Sequence, residues 1–233
     1  MKILGYSERG IINSLIFSIG EDKELMREFV KLINVPEIEE PNNIIIDYTI
    51  LLEQSFSRFG DSDLIIILEY ENPKDKRVLF IEGKVNTSNS NWNIQSQFNK
   101  YNASKEGENK IKPKNYWSNL FSQLHLKKLL VEKWNDIKND NKFEINEAYL
   151  GKRKIGSNPV VLQAFELIKC CEKNAYFVGL IPSNESEIEM FKQNNKTGYH
   201  FLSWQKVHEF CQDHNLKKVL EIFDYNKGQI YKY

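Results

Sequence analysis

The chain opens with an apolar stripe at helical spacing. Ile11, Leu15 and Ile19 recur every fourth residue with Ile12 and Ile16 beside them, and Leu25, Met26, Phe29, Val30 and Ile33 resume the pattern after Gly20. This spacing predicts helix over 7–33, either as two helices or as one kinked helix, with Ser7 as the capping residue. Beyond Pro36 and Pro41 the pattern changes. Residues 44–56, 62–70 and 76–86 are rich in β-branched and aromatic side chains and read as three strands. The turn sequence Asn72-Pro73-Lys74-Asp75 makes a hairpin of the second and third.

Residues 87–115 are polar and read as a long loop with a short helix around Gln95–Tyr101. An amphipathic helix is predicted over 116–137, a strand over 143–151, and a helix opening at Ser157-Asn158-Pro159 and running to about Cys171. Ala175–Ile181 is a short apolar strand ended by Pro182. Ser203 caps a further helix to about Cys211, and Leu216–Phe223 is another helical piece. No repeat or linker divides the chain. The expectation is one domain over 1–233, of the α/β class, with a central mixed β-sheet flanked by helices.

Composition narrows the function classes. Lys plus Arg and Asp plus Glu number 32 each, so the net charge is zero. A protein that coats nucleic acid is usually basic, because phosphate contacts supply much of its affinity. A neutral chain that acts on nucleic acid must instead gather positive charge on one face. Cys170, Cys171 and Cys211 are odd in number and lack C-x-x-C spacing, which argues against a disulfide framework or a thiolate zinc site. There is no apolar leader and no run approaching the ~20 apolar residues of a membrane span, so a cytoplasmic protein with no membrane partner is expected.

The chemistry-bearing stretch is Phe59-Gly60-Asp61-Ser62-Asp63-Leu64, followed by Leu79-Phe80-Ile81-Glu82-Gly83-Lys84-Val85. Asp63 opens one apolar strand, while Glu82 and Lys84 lie near the end of the next. Side chains alternate along a strand, so Glu82 and Lys84 share a face. In a hairpin the start of one strand sits beside the end of its partner, so Asp63 and Glu82 can converge across 82 − 63 = 19 positions. Two carboxylates and an ammonium suit phosphodiester hydrolysis. Hard oxygen ligands hold Mg²⁺ or Mn²⁺, and an ammonium offsets developing negative charge. The same E-x-K pattern on a strand face also describes an ordinary ion pair, worth under about 1 kcal/mol when exposed.

With Asp63 followed by Glu82-Gly83-Lys84, the chain resembles the PD-(D/E)xK nuclease superfamily, the restriction-endonuclease-like fold, over roughly residues 1–182. The predicted order of a helix, three antiparallel strands, a helix and another strand fits the same resemblance, which leaves a C-terminal strand and helices over 183–233. It implies that Asp63 and Glu82 bind the metal and that Lys84 assists the attacking water. Ser62 stands where the family's name has proline, and Asp61 competes with Asp63 for the first acidic role.

Further residues follow from position or from the resemblance. Some branches of the superfamily add a glutamate from the first helix, which makes Glu8 a candidate ligand beside its ordinary role at a helix start. Glu53 faces the same alternatives. Gln123 resembles the helix glutamine of several exonuclease branches, although a solvated helix face would also carry it. Lys110, Lys112 and Lys114 form one basic cluster and Lys152, Arg153 and Lys154 a second, with Trp92, Tyr101, Tyr116 and Trp117 near the first. Such residues can contact phosphates and stack bases. His125, His200, His208 and His214 show no metal spacing and read as structural. The expected partner is nucleic acid, with DNA favoured; nothing marks a dimer face. The competing expectation is a module of the same fold that binds nucleic acid or a protein without cutting.

Overall fold

The computed structural model describes residues 3–38, 44–72, 75–86, 92–104, 118–134, 145–147, 151–153, 155–171 and 174–230. Helices α1 (Ser7–Ile19) and α2 (Lys23–Lys31) come first, and the chain breaks between them at Gly20, whose φ of 58° suits a residue without a Cβ. Asp22 caps α2 by accepting from the Leu25 amide at 3.0 Å. Ser7 is not the cap of α1. It lies inside the helix with φ 62°, its amide donates to Asn226 Oδ1, and its hydroxyl donates to the neighbouring Glu8 carboxylate.

Three strands follow: β1 (Ile45–Ser55), β2 (Asp61–Tyr70) and β3 (Lys76–Gly83), joined as an antiparallel meander. Then come α3 (Ile94–Ser104), α4 (Leu120–Glu132), a small antiparallel ladder of β4 (Ile145–Glu147) with β5 (Gly151–Arg153), and α5 (Pro159–Ile168). The single strand expected over 143–151 is thus the first half of a hairpin. Strand β6 (Ala175–Ile181) returns parallel to β3, and α6 (Glu185–Asn194) leads to β7 (His200–Ser203), parallel to β6. Helices α7 (Trp204–Asp213) and α8 (Lys217–Tyr225) close the chain. The main sheet is five-stranded and mixed, in the order β1-β2-β3-β6-β7, with helices on both faces.

Alternation along the central strands sorts two cores. Leu64, Ile66, Leu68, Leu79, Ile81, Val178, Leu180 and Leu202 meet the buried sides of α1, α2, α7 and α8. Ile65, Ile67, Val78, Phe80, Phe177, Ile181 and Phe201 meet α3, α4, α5 and α6. Because both faces are covered, the β2 and β3 sequences are near-continuous apolar runs. Helix α4, expected to be amphipathic, is instead buried on almost every side: Leu120, Phe121, Ser122, Leu124, Leu126, Lys127, Leu129, Leu130 and Val131 are all inaccessible. No helix among the described residues is long and apolar enough to cross a membrane.

Candidate active site

The hairpin register builds the centre of the site. Leu64 pairs with Ile81, so the next position outward sets Asp63 opposite Glu82 (64 + 81 = 63 + 82 = 145). Directly opposed residues of an antiparallel pair project to the same face. Asp63 follows the alternation of Ile65 and Ile67, and Glu82 that of Phe80 and Val78, which puts both carboxylates on the α4 face. The Asp63 side chain also replaces a ladder bond: its Oδ2 accepts from the Gly83 amide at 2.8 Å, while the next amide, of Lys84, reaches Leu180 O in β6.

Lys84 keeps the predicted face. Its Nζ is 2.8 Å from Glu82 Oε1 and 2.9 Å from the Gly83 carbonyl oxygen, and its own carbonyl accepts from Trp204 Nε1. Only 8% of Asp63 and 5% of Glu82 is exposed, so this is a dry cluster. Burial, the Glu82 charge and the more distant Glu8 push the Asp63 carboxyl up to about 7, against the opposing pull of Lys84 and the Gly83 amide.

Helix α4 brings a residue that the sequence reading passed over. Leu120, at its start, occupies the space a side chain at Gly179 would need, for an ideal Cβ there would lie 2.8 Å from Leu120 Cδ2; Gly179 is the β6 neighbour of Glu82. Seven residues on, Lys127 lies against Gly60, just before β2, and its Nζ donates to Phe59 O at 3.0 Å. The helix therefore passes diagonally across the sheet from beside Glu82 to the start of the Asp63 strand. Lys127 is 2% exposed. Burial brings its ammonium down to about 8, while the charges of Glu82, Asp61 and Asp63 oppose that fall and Lys84 adds to it. The available signal was a lysine in the apolar stripe, three residues after Leu124 and four before Val131.

The remaining candidates divide by position. Glu8 reaches the rim, since an ideal Cβ at Gly83 would lie 3.0 Å from Glu8 Cβ, and its charge acts on Asp63. Asp61 shares the face of Asp63 but is exposed and lies two residues further out, so Asp63 is the acid opposite Glu82. Glu53 is exposed and bonded to Arg9 at 3.4 Å and Asn13 at 3.2 Å; the flanking pairs Leu52–Leu64 and Gln54–Ser62 place it beside Asp63, where its backbone turns to φ 48°. Arg9 also reaches Asp63, Nε to Oδ1 at 3.6 Å. Gln123 shares the helix face of Leu120 and Lys127, and its enclosed Oε1 has no hydrogen-bond partner among the described residues.

Lys110, Lys112, Lys114 and Lys154, with Tyr116 and Trp117, lie outside the described residues, and Lys152 and Arg153 are placed only as backbone of β5. Tyr101 is not a free stacking platform, for it is buried against Phe98, Phe121 and His125. His200 packs on Tyr176, His208 on Phe223, and His214 pairs with Glu28 at 2.9 Å. Cys171 and Cys211 are buried. Among the described residues no group of three or more His, Cys, Asp or Glu side chains converges as a metal cage. Comparison of the chain with protein-family models, curated proteins and solved structures returns no match.

Proposed function

We propose that this protein is a metal-dependent nuclease with a restriction-endonuclease-like core, hydrolysing phosphodiester bonds of nucleic acid, with DNA as the favoured substrate and the cytoplasm as its place of action. The observation that carries the reading is the register: Asp63 stands opposite Glu82 on one face, with the Lys84 ammonium 2.8 Å from Glu82.

The donor set suits Mg²⁺ or Mn²⁺. Two buried carboxylates are hard oxygen donors, and the raised proton affinity of Asp63 marks a place where added positive charge is favoured. Two protein carboxylates are enough for Mg²⁺, which keeps several waters, so the absence of a three-acid cage is compatible with this reading. Asp63 and Glu82 would hold the ion, with Glu8 at the rim. The bound ion supplies Lewis acidity at a phosphate oxygen and lowers the pKa of water beside it. Lys84 orients the attacking water and offsets the negative charge that grows on the phosphate. The water oxygen bonds to phosphorus, the bond to the leaving oxygen breaks, and the proton released by water ends on that leaving oxygen.

A module that binds without cutting is the second reading, and the Glu82–Lys84 ion pair would persist in it unchanged. Incubation with supercoiled plasmid, linear duplex, single-stranded DNA and RNA, with Mg²⁺ or Mn²⁺ against EDTA, separates the two. Metal-dependent cleavage that disappears in Glu82→Gln supports the nuclease. Cleavage that persists in excess EDTA excludes the metal mechanism, and salt-sensitive binding with no cleavage in either metal supports the binding module.

A further inference from the structure

Lys127 is the feature of this site that packing alone does not explain. A buried lysine is costly, and a methionine or leucine would fill the same volume in α4 without that cost. Its Nζ is instead spent on one carbonyl, that of Phe59, which belongs to the 3-10 turn Ser57–Phe59 between β1 and β2. The turn is shaped to receive it. Gly60 has φ 81°, and an ideal Cβ there would stand 3.2 Å from the ammonium nitrogen. Three positions beyond Gly60 is Asp63. The ammonium is also within electrostatic reach of Asp61, Asp63 and Glu82, so one group links α4, the turn and the acid cluster.

Resting on the nuclease reading, we propose that Lys127 is a positioning residue for the site: its buried ammonium clamps the 57–60 turn to α4 and thereby fixes where Asp63 stands opposite Glu82. It need not touch substrate, because it acts through the start of β2. A cation this near a metal site repels an incoming divalent ion. Its presence is therefore explained by the order it imposes and not by attraction for the metal.

The test has a metal-free arm and a metal arm, both on the full chain with Lys127→Met. In EDTA, amide hydrogen exchange at 59–63 rises about tenfold or more while exchange in α1 and β7 is unchanged, since the lost clamp opens the turn locally. In calorimetric titration, Mn²⁺ binds roughly tenfold more weakly than to the wild type, although a repelling charge has been removed, and kcat falls with KM little changed. Lys127→Gln, which keeps a donor but not the charge, moves the same readouts in the same direction and serves if the methionine variant does not fold. Unchanged exchange at 59–63, or Mn²⁺ bound equally or more tightly, overturns the clamp. A wild type that neither binds Mn²⁺ nor cuts overturns the nuclease reading itself, and that result is distinct from a variant that behaves like an active wild type.

Discussion

The β2–β3 hairpin carries buried charge at both ends, and the two ends are built to different rules. At the turn end Arg77, 5% exposed, meets Asp75 at 3.2 Å and lies 4.7 Å over the Tyr70 ring, while Lys76 meets Glu69 at 2.6 Å. Each cation there has a carboxylate beside it. At the open end Asp63 and Glu82 face each other, with Asp61 and Glu8 nearby, and the ammoniums of Lys84 and Lys127 are set against them. The turn-end carboxylates are the more exposed, Asp75 by 20% and Glu69 by 37% of the side chain against 9% for Asp63 and 7% for Glu82. Only at the open end do two carboxylates face each other, and there a carboxyl is pushed up to about 7. The difference teaches that buried charge by itself marks a structural pair. Two buried carboxylates set face to face, one with a raised proton affinity, mark the end that the nuclease reading takes as the cation site.

The largest contrast comes from breaking each end in turn. On the nuclease reading, Lys84→Met lowers kcat by about a hundredfold or more, because it removes the ammonium proposed to stand nearest the reacting phosphate. Its melting temperature falls as well, because Glu82 loses the ammonium 2.8 Å away, so kcat is compared on the folded fraction. Arg77→Met should destabilise the fold by roughly 3 kcal/mol, by taking the cation from beside Asp75, while leaving the activity of the folded fraction intact. Steady-state cleavage kinetics and thermal melts on both variants check this. A wild-type kcat in Lys84→Met with Arg77→Met inactive would invert the assignment of the two ends.

The second contrast is one of pH. In the metal-free protein the folded-state pKa of Asp63 lies above its unfolded value of 3.8, so between about 4 and 7 the native state binds the extra proton. Stability contributed by that proton is fully present below the unfolded value and is lost as pH rises through 7. Asp63→Asn removes the dependence while still accepting the Gly83 amide. In EDTA it should therefore melt higher than the wild type at pH 8, with the gap closing towards pH 4.5, although it no longer cuts. Melting curves across that range decide the matter. A wild type and variant whose difference is independent of pH would mean that Asp63 titrates like an ordinary surface carboxylate.

How much of this was legible in the sequence depends on which periodicity carried the information. Strand β6 was readable to the residue and β2 nearly so, because apolar runs bounded by Pro182 and by Gly60 have sharp edges. The hairpin turn gave the pairing, and pairing with alternation was enough to bring Asp63, Glu82 and Lys84 together. Helix α6 was passed over, although Asn184 and Glu187 form a capping box, since its single buried pair Ile188 and Phe191 makes too thin a stripe. Lys127 was invisible for a different reason. Alternation along a strand says which face a residue takes, but which helix then covers that face, and at which residue, is decided by tertiary packing such as Leu120 seating on Gly179. The same limit applies to Arg9, 54 positions before its partner Asp63 (63 − 9 = 54).

Arg9 supplies the smallest predicted effect and the finest test of the comparison. It bridges Glu53 and Asp63 at 3.4 Å and 3.6 Å, but 54% of its side chain is exposed. Exposed pairs of this kind are worth under about 1 kcal/mol, because water and salt screen them and a long side chain must be held still. Arg9→Ala should therefore shift the melting temperature by no more than about 3 °C in a chain of this size. The shift should shrink in high salt, and cleavage should change little, since Lys84 and Lys127 already answer the two acids from inside. A loss of cleavage comparable to that of Lys84→Met, at unchanged stability, would break this account. It would show that the acid-rich end draws on a third cation, one that stands at the solvent edge, where a phosphate backbone would arrive.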